Sequence, residues 1–466
     1  MHVRTVLALP VFLLTLAVSG CFTTPATRTE DMASANKIIT HRIDKEHQSV
    51  GIALALTGRE GTTLVTHGRL SRDGAKSISP DTIFEIGSIS KVVTSLLLAQ
   101  LVLDGRVTLD DPAQNYMPDG IHLPTKNGRA ITLFDLASHY SGLPSVPPEI
   151  LKAPIENPYA NYGRKELAQF LMSYQLPRAP GEAFEYSNTG VALLGLALER
   201  ITGERYEDLA RSRVFVPLGM TETWAVVPTS ERHRFAAGYD INGDPAAHWD
   251  LGLFLPAGGW HSTARDMARF VEAASDVRKS PLSAAFSLML ARTRATDTDD
   301  VRVGLGWFVS DDKIVWHNGM TGGFSSIAAF RRDDGRGVLT LSNQASAAGV
   351  DDIGLHLLDP SRPLEEPPAT VPYHPVPATL LAEYAGSYRL DADIDIEVSA
   401  QQGRLYLKVP GQGRIEFQAL SDNEFTAPAL GAAIRFQRDA VGKISGLTLD
   451  QHGNSIDAPR IGEHGQ

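Results

Sequence analysis

The sequence predicts an α+β fold, an antiparallel sheet flanked by helices, followed by a small C-terminal all-β barrel or sandwich. Three observations carry this. Strand-like runs near the N-terminus recur only after residue 300, apolar helical runs lie between them, and the chain then changes to short alternating strands. Taken in order, SVGIALALTG and TTLVTHGRL read as two strands joined by a glycine-containing turn. FEIGSISKVVTSLLLAQLVLDG, Phe84 to Gly105, contains a helix from Ser88 that is apolar nearly all round, with Gly105 placed to close it. NTGVALLGLALERITG is a second apolar helix stopping at Gly203, and Thr263-Ala264-Arg265-Asp266 has the spacing of a capping box. VGLGWFVS, KIVWHNG, SIAAFRR and GVLTLSNQ read as strands, so the first pair is expected to complete a sheet built mostly from these later ones.

Seven prolines from Pro360 to Pro377 mark a semi-rigid linker. Beyond it IDIEV, RLYLKV, RIEFQAL, EFTAP, AIRFQR and KISGLTL alternate in polarity between turn clusters, and no chemical constellation falls among them. This part reads as an accessory domain that packs on, or shades, the catalytic one. The expected division is a catalytic domain at 38–359, a linker at 360–377 and a barrel at 378–466.

The 466 residues carry a net charge of -11, which argues against a nucleic-acid partner because such binding needs a basic surface. No CxxC, HExxH or GxxxxGK[ST] occurs, so neither a metal nor a nucleotide cofactor is expected. At the N-terminus, MHVR precedes the apolar run VLALPVFLLTLAV, which is short for a membrane span and reads as a secretory signal. Val18-Ser19-Gly20-Cys21 resembles the bacterial lipobox, where cleavage precedes a cysteine that becomes lipid-modified, and Cys21 is the single cysteine of the chain. The expectation is a signal peptide at 1–20, a polar tether at 21–37, and an exported protein anchored through Cys21 at the periplasmic face of the bacterial envelope.

Ser88 and Lys91 lie three residues apart and so share a helix face, which lets the amine reach the hydroxyl. The helix N-terminus favours developing negative charge, and burial lowers a lysine pKa toward usefulness as a base. The same spacing occurs at Ser34/Lys37 and Ser310/Lys313, but only Ser88 heads a buried helix. Tyr186 and Asn188 stand just before the second apolar helix; Tyr159 and Asn161 share their spacing in a loop with no buried element behind it. A tyrosine near a lysine cation ionises more readily and can shuttle a proton, and the Asn188 amide can bond Lys91 and a substrate carbonyl. In KIVWHNG, His317 and Gly319 fall on one face, placing a titratable ring beside a position where a substrate could lie along the strand. His139, in LASHYSGLP, raises a Ser-His-Asp alternative, but no GxSxG elbow accompanies it and it is expected to pack near the site as a loop residue.

SxxK, YxN and a late HxG, in that order, resemble the motifs of the serine family of penicillin-binding proteins, class C β-lactamases and their esterase relatives. ITLFDLASHYSGLP, PAGGWHSTARDMARF and VFVPLGM resemble its connecting segments, over about residues 35–350, and the C-terminal part resembles a β-barrel appendage of some members. The resemblance implies a β-lactamase/transpeptidase-like catalytic fold, with Ser88 acylated, Lys91 and Tyr186 moving its proton and Asn188 positioning substrate. It also implies an oxyanion hole from the Ser88 and Met320 amides, with His317 and Gly319 contacting substrate and His317 recognising its carboxylate. Class C β-lactamases usually carry Lys-Thr-Gly where this chain has His-Asn-Gly, and histidine is the form in D-Ala-D-Ala peptidases and several esterases. The implied substrates are peptidoglycan fragments ending in D-alanine or β-lactams. An esterase on short acyl esters and a catalytically silent wall-binding lipoprotein are the alternatives; retention of all three motifs argues against the second. A histidine at 317 leads to the expectation of an acid limb in kcat/KM at about pH 6–7.

Overall fold

The computed structural model describes residues 25–154, 156–310, 313–346, 349–366, 374–391, 394–401, 403–409, 414–451 and 454–461. The expected signal peptide, Cys21 and the first residues of the expected tether lie outside them, as do residues 367–373 of the linker.

The first two strands, β1 (Gly51–Gly58) and β2 (Gly61–Gly68), form the expected hairpin. A two-stranded piece, β3 (Ile83–Glu85) with β6 (His261–Thr263), and a small hairpin, β4 (Gly238–Tyr239) with β5 (Pro245–Ala246), sit apart from the main sheet. The late strands are β7 (Arg294–Ala295), β8 (Val301–Val303), β9 (Phe308–Ser310), β10 (Ile314–Met320), β11 (Ser325–Arg331) and β12 (Gly337–Ser342). They continue the N-terminal hairpin into one eight-stranded sheet in the order β2-β1-β12-β11-β10-β9-β8-β7, antiparallel at every pairing. The N-terminal pair thus completes the later sheet, as the sequence predicts.

Apolar residues on consecutive positions explain why this sheet is buried on both faces. In β1, Ile52 and Leu54 join Ala35, Ile39 and Ile353 from two helices on one side. Ala53 and Ala55 join Phe270, Val271 and the central helix on the other. The first of those helices, Pro25–Asp44, corrects the expected tether, because residues 25–37 are helical rather than a loose polar strap. Its apolar positions are sparse, but Ala35 and Ile39 lie one turn apart and both are fully buried on the sheet. Arg42 on the same helix pairs with Asp352 of the helix Asp351–Leu358, locking the two outer helices together.

VGLGWFVS, read as one strand, is broken into β8 and β9 by a turn. Gly306 has φ +72° and the Gly304 N–H donates to the Trp307 carbonyl at 2.8 Å. A Cβ on Gly306 would stand 2.7 Å from Ser95 Oγ, so the turn packs directly on the central helix. That helix, Ser90–Leu103, is entered through a 3-10 turn at Gly87–Ile89 and is buried along most of its length. Gly105 adopts φ +67° and its N–H donates to Val102 O, the closure read from the sequence. The second apolar helix is Asn188–Thr202, closed by Gly203 in the left-handed region. At the helix Ala264–Ala274 only half of the capping box forms: Thr263 Oγ1 accepts from Asp266 N, while the Asp266 carboxylate accepts from Glu222 N, Thr223 Oγ1 and Arg269.

The C-terminal part resolves the barrel-or-sandwich alternative as a closed antiparallel barrel. Its strands are β13 (Gly386–Asp391), β14 (Ile394–Gln401), β15 (Arg404–Lys408), β16 (Arg414–Ala419), β17 (Glu424–Ala427), β18 (Ala432–Arg438), β19 (Ile444–Gln451) and β20 (Asn454–Ile461). β13 and β20, which the sequence reading did not pick out, close it through Tyr388 opposite Arg460. β20 lacks apolar alternation and contains Pro459, so its pattern does not read as a strand. A short helix, Ala378–Tyr384, plugs the interior with Leu381 and Tyr384, the latter stacked on Phe436 at 3.9 Å.

Removing Arg42 leaves the buried Asp352 carboxylate without its cation. Arg42→Ala is expected to destabilise the catalytic domain by about 3–5 kcal/mol in chemical denaturation. A change within about 0.5 kcal/mol would show that the pair contributes nothing.

Candidate active site

Two glycines bring the nucleophile turn against strand β10. Gly87 has φ +51°, and a Cβ there would lie 2.7 Å from Met320 N and 3.1 Å from the Gly319 carbonyl carbon. A Cβ on Gly319 would in turn lie 2.2 Å from Ile86 O and 3.0 Å from Ser88 N. Backbone meets backbone with no room for a side chain on either partner. Ser326 Oγ donates to Ile86 O at 2.9 Å and pins the approach from β11. The Ser88 amide, in the first turn of its helix, has no intrahelical carbonyl to bond. Ser88 N and Met320 N therefore flank one glycine-lined contact. Met320 projects an exposed side chain at the mouth of this contact.

Lys91, one turn on from Ser88, is fully buried. Its Nζ is hydrogen-bonded with Ser88 Oγ at 2.9 Å, donates to Ala257 O at 2.6 Å, and lies 4.8 Å from the centre of the Tyr186 ring. Burial holds the amine well below the usual lysine range, which favours the free amine with a lone pair for a proton. The expectation that a lysine cation eases ionisation of Tyr186 is thereby corrected. Burial raises the phenol pKa, and a hydrogen bond with the Ser88 hydroxyl opposes that only in part. Tyr186 is a protonated phenol with the amine over its ring face rather than a tyrosinate. Burial wins because no carboxylate or cation acts on either group.

Tyr186 is placed by the segment His139–Ser145. Ser187, the N-cap of the helix Asn188–Thr202, accepts from Gly190 N at 2.9 Å and donates to Pro144 O at 2.8 Å. Asn188 follows at the first helical position, but its Nδ2 donates to Ser145 Oγ at 3.4 Å, not to Lys91 as expected. The amine's second acceptor is instead the Ala257 carbonyl of the PAGGW segment, a backbone atom that no residue-type pattern announces. Tyr159, set aside in the sequence reading, is also near enough to raise the Tyr186 pKa and packs on Trp249 at 5.7 Å.

His317 and Gly319 occupy the site face of β10, as the strand alternation predicts, and Asn318 faces away to donate to Asp351 Oδ2 at 2.5 Å. Asp351 is a carboxyl pushed up to about 7 by burial, and no residue pattern announces it. The His317 ring is 1% exposed, its Nδ1 donates to Asn318 O at 2.6 Å, and its Nε2 is buried without a partner. Burial, aided by Lys91, lowers its pKa to about 3, so it is a neutral ring with an acceptor nitrogen and not the near-neutral titrating cation expected. The expected acid limb from His317 at neutral pH has no physical basis in the ligand-free site. His139 does pack near the site, as expected, and burial likewise pushes it well below the usual histidine range. Among the described residues no cluster of His, Cys, Asp and Glu could hold a metal, and no helix is long and apolar enough to cross a membrane.

Two measurements check this geometry. Histidine-selective nitrogen-15 spectra are expected to show His317 neutral across about pH 5–8 with its proton on Nδ1, and the neutral form of His139 with its proton on Nε2. Both contribute stability that is complete above the unfolded value of 6.5 and is lost as pH falls toward the folded one, about 3 for His317. A His317 midpoint near 6.5 would contradict the burial argument. Gly319→Ala is expected to lower kcat at least about 10²-fold by forcing the two amides apart, with retained activity ruling out that contact as the oxyanion site.

Comparison with known proteins agrees with the geometry. The family model described as Beta-lactamase matches residues 35–359, and a domain model of unknown function matches residues 371–460. The chain is 29% identical over 339 residues to a Beta-lactamase of Escherichia coli (strain K12), spanning 64% of this chain and 85% of that one. It is 30% identical over 266 residues to the D-alanyl-D-alanine-carboxypeptidase/endopeptidase AmpH of the same organism, spanning 53% of this chain and 68% of that one. The octameric penicillin-binding protein homologue from Pyrococcus abyssi shares the fold, with a TM-score of 0.61 at 20% identity over 92% of this chain and all (100%) of that one. A serine with a buried lysine at hydrogen-bond distance, on this fold and with these relatives, is a serine acyl hydrolase, and the chain belongs to the Beta-lactamase family.

Proposed function

We propose that the protein is an envelope-tethered hydrolase that transfers the acyl group of D-alanyl peptides, β-lactams or both to Ser88 and then to water. The observation that carries the reading is the 2.9 Å bond between Ser88 Oγ and an amine kept neutral by burial. Lys91 takes the Ser88 proton as Oγ attacks the carbonyl carbon, and the oxyanion is met by the Ser88 and Met320 amides. As the C–N bond breaks, Tyr186 gives its phenolic proton to the leaving nitrogen and regains one from the Lys91 ammonium. Water, deprotonated by the same pair, then cleaves the Ser88 ester and frees the acid.

The charge of the site favours a substrate with a carboxylate. Lys91, His139 and His317 are buried bases, a proton on one disfavours a proton on its neighbours, and no carboxylate is among the groups that act on Lys91 or His317. An anionic substrate supplies the counter-charge that lets His317 take up a proton. Asn188, at the mouth of the site, is placed to steady its amide backbone. The relatives named as β-lactamase and D-alanyl-D-alanine-carboxypeptidase/endopeptidase support the same two substrate classes. The lipobox-like Val18-Ser19-Gly20-Cys21 supports lipidation of Cys21 and a periplasmic-face location, where such peptides occur.

Side-by-side turnover of a D-Ala-D-Ala peptide, a chromogenic cephalosporin and p-nitrophenyl butyrate tests the proposal. At least one of the two carboxylate-bearing substrates is expected to turn over, and Ser88→Ala is expected to abolish both that turnover and labelling by a fluorescent penicillin. Turnover of the butyrate ester alone would shift the reading to an esterase. His317 Nε2 lacks a proton and meets a carboxylate only by gaining one, so KM for the carboxylate substrates is expected to rise with pH. KM for the uncharged ester should stay flat over the same range; equal slopes would remove His317 from carboxylate recognition.

A further inference from the structure

His139 touches neither Ser88 nor Lys91 through any hydrogen bond, yet it holds every residue of the segment that delivers Tyr186. Its carbonyl accepts from Glu185 N at 2.8 Å, and its Nδ1 accepts from Ser187 N at 3.1 Å. Its ring lies against Tyr186 at 4.4 Å with the planes 30° apart, and meets Phe184 edge-on at 5.9 Å. The residue is 1% exposed and sits at φ +61°, a backbone region uncommon for a residue with a side chain. Such a conformation persists where the surroundings over-determine it.

We propose that His139 is a positioning residue that fixes the Tyr186 phenol for proton transfer, clamping residues 184–187 through one backbone and one ring acceptor while its ring face sets the tilt of the tyrosine. The inference rests on Tyr186 as the proton relay of the proposed function. A helix N-cap places the chain at Ser187 but leaves the preceding residue free to rotate about its own side-chain torsions. The imidazole lying against the phenol ring restricts that freedom. The clamp requires a neutral ring with its proton on Nε2, because an imidazolium Nδ1 is a donor and would face the Ser187 N–H. Burial and the neighbouring Lys91 and His317 keep the ring in that neutral form.

Two substitutions separate the ring from the backbone. Asparagine tolerates positive φ and offers Oδ1 to Ser187 N–H, but has no ring to lay on Tyr186. Alanine loses the acceptor and the ring together. Single-turnover acylation by a fluorescent penicillin, read as a maximal rate and a half-saturating concentration, is run for wild type, His139→Asn and His139→Ala. The same three are repeated with Tyr186→Phe. The expected maximal rate falls about tenfold for His139→Asn and about 10²-fold for His139→Ala, with half-saturation changed less than about twofold. In the Tyr186→Phe background each substitution should alter the remaining rate by less than about twofold, since its route of action is gone. If Tyr186→Phe is slow and the His139 substitutions still carry their full cost there, or if the loss falls on half-saturation, the clamp is refuted and the relay stands. If Tyr186→Phe acylates at the wild-type rate, the relay fails and the clamp with it. Should His139→Ala not fold, His139→Asn carries the whole cycle alone.

Discussion

A lysine buried with no counter-charge is the constraint on which the site is built. Taking an ammonium out of water is so costly that the group gives up its proton instead. For Lys91 the free amine is useful only if it is still held in place, and two partners do that: the Ser88 hydroxyl and the Ala257 carbonyl. The amine is both desolvated and tethered. Every other feature of the site either excludes water from it or keeps those partners in position.

The exclusion of water comes from the packing of two apolar helices and the PAGGW segment. Thr94, one turn along the central helix from Lys91, donates to Pro256 O at 2.7 Å, and Ser90 Oγ accepts from Trp260 N at 3.2 Å. The Trp260 indole donates to Tyr206 Oη at 3.3 Å, so the segment is held at both ends. Gly195 in the second helix leaves room for Pro256: a Cβ there would approach its ring to 2.3 Å. Polar atoms within an apolar helix thus aim one backbone carbonyl at one amine. The sequence places Ser90, Thr94 and Gly195 among hydrophobic residues for a packing reason whose outcome is electrostatic.

The C-terminal barrel reaches the same region indirectly. Asn242, between β4 and β5, donates to Arg414 O at 2.5 Å and accepts from Glu416 N at 3.2 Å, mimicking a strand neighbour for β16. That hairpin packs on the turn after Met320, where Gly238 and Gly323 meet backbone to backbone. Glu85, just ahead of the nucleophile turn, accepts from Trp249 N at 3.2 Å and bonds His248 at 2.9 Å, joining the far end of the hairpin segment to the nucleophile strand. The barrel therefore touches the catalytic domain at this hairpin, through Asn242.

Local chemistry was legible in the chain because it depends on spacing. Ser88 and Lys91 share a helix face by geometry, Gly105 and Gly203 close their helices where left-handed backbone is needed, and His317 and Gly319 share a strand face by alternation. Six of the barrel strands were legible from alternating polarity; β20 was missed where its pattern carries Pro459, and β13 alternates only over Ser387–Asp391 and was passed over beside the linker. Charge states were legible only in part: the apolar helix around Lys91 announces its burial, but His317 reads as a titrating ring until its own burial is known, and that burial is a sum over distant segments. The Ala257 carbonyl and the facing amides were invisible for another reason: every residue carries the same backbone atoms. The sequence by itself determined which functional groups are present and which helix or strand face each occupies. Only the tertiary structure decided that they meet, and that they meet without water, because solvent exclusion belongs to the assembled packing and to no single stretch of chain.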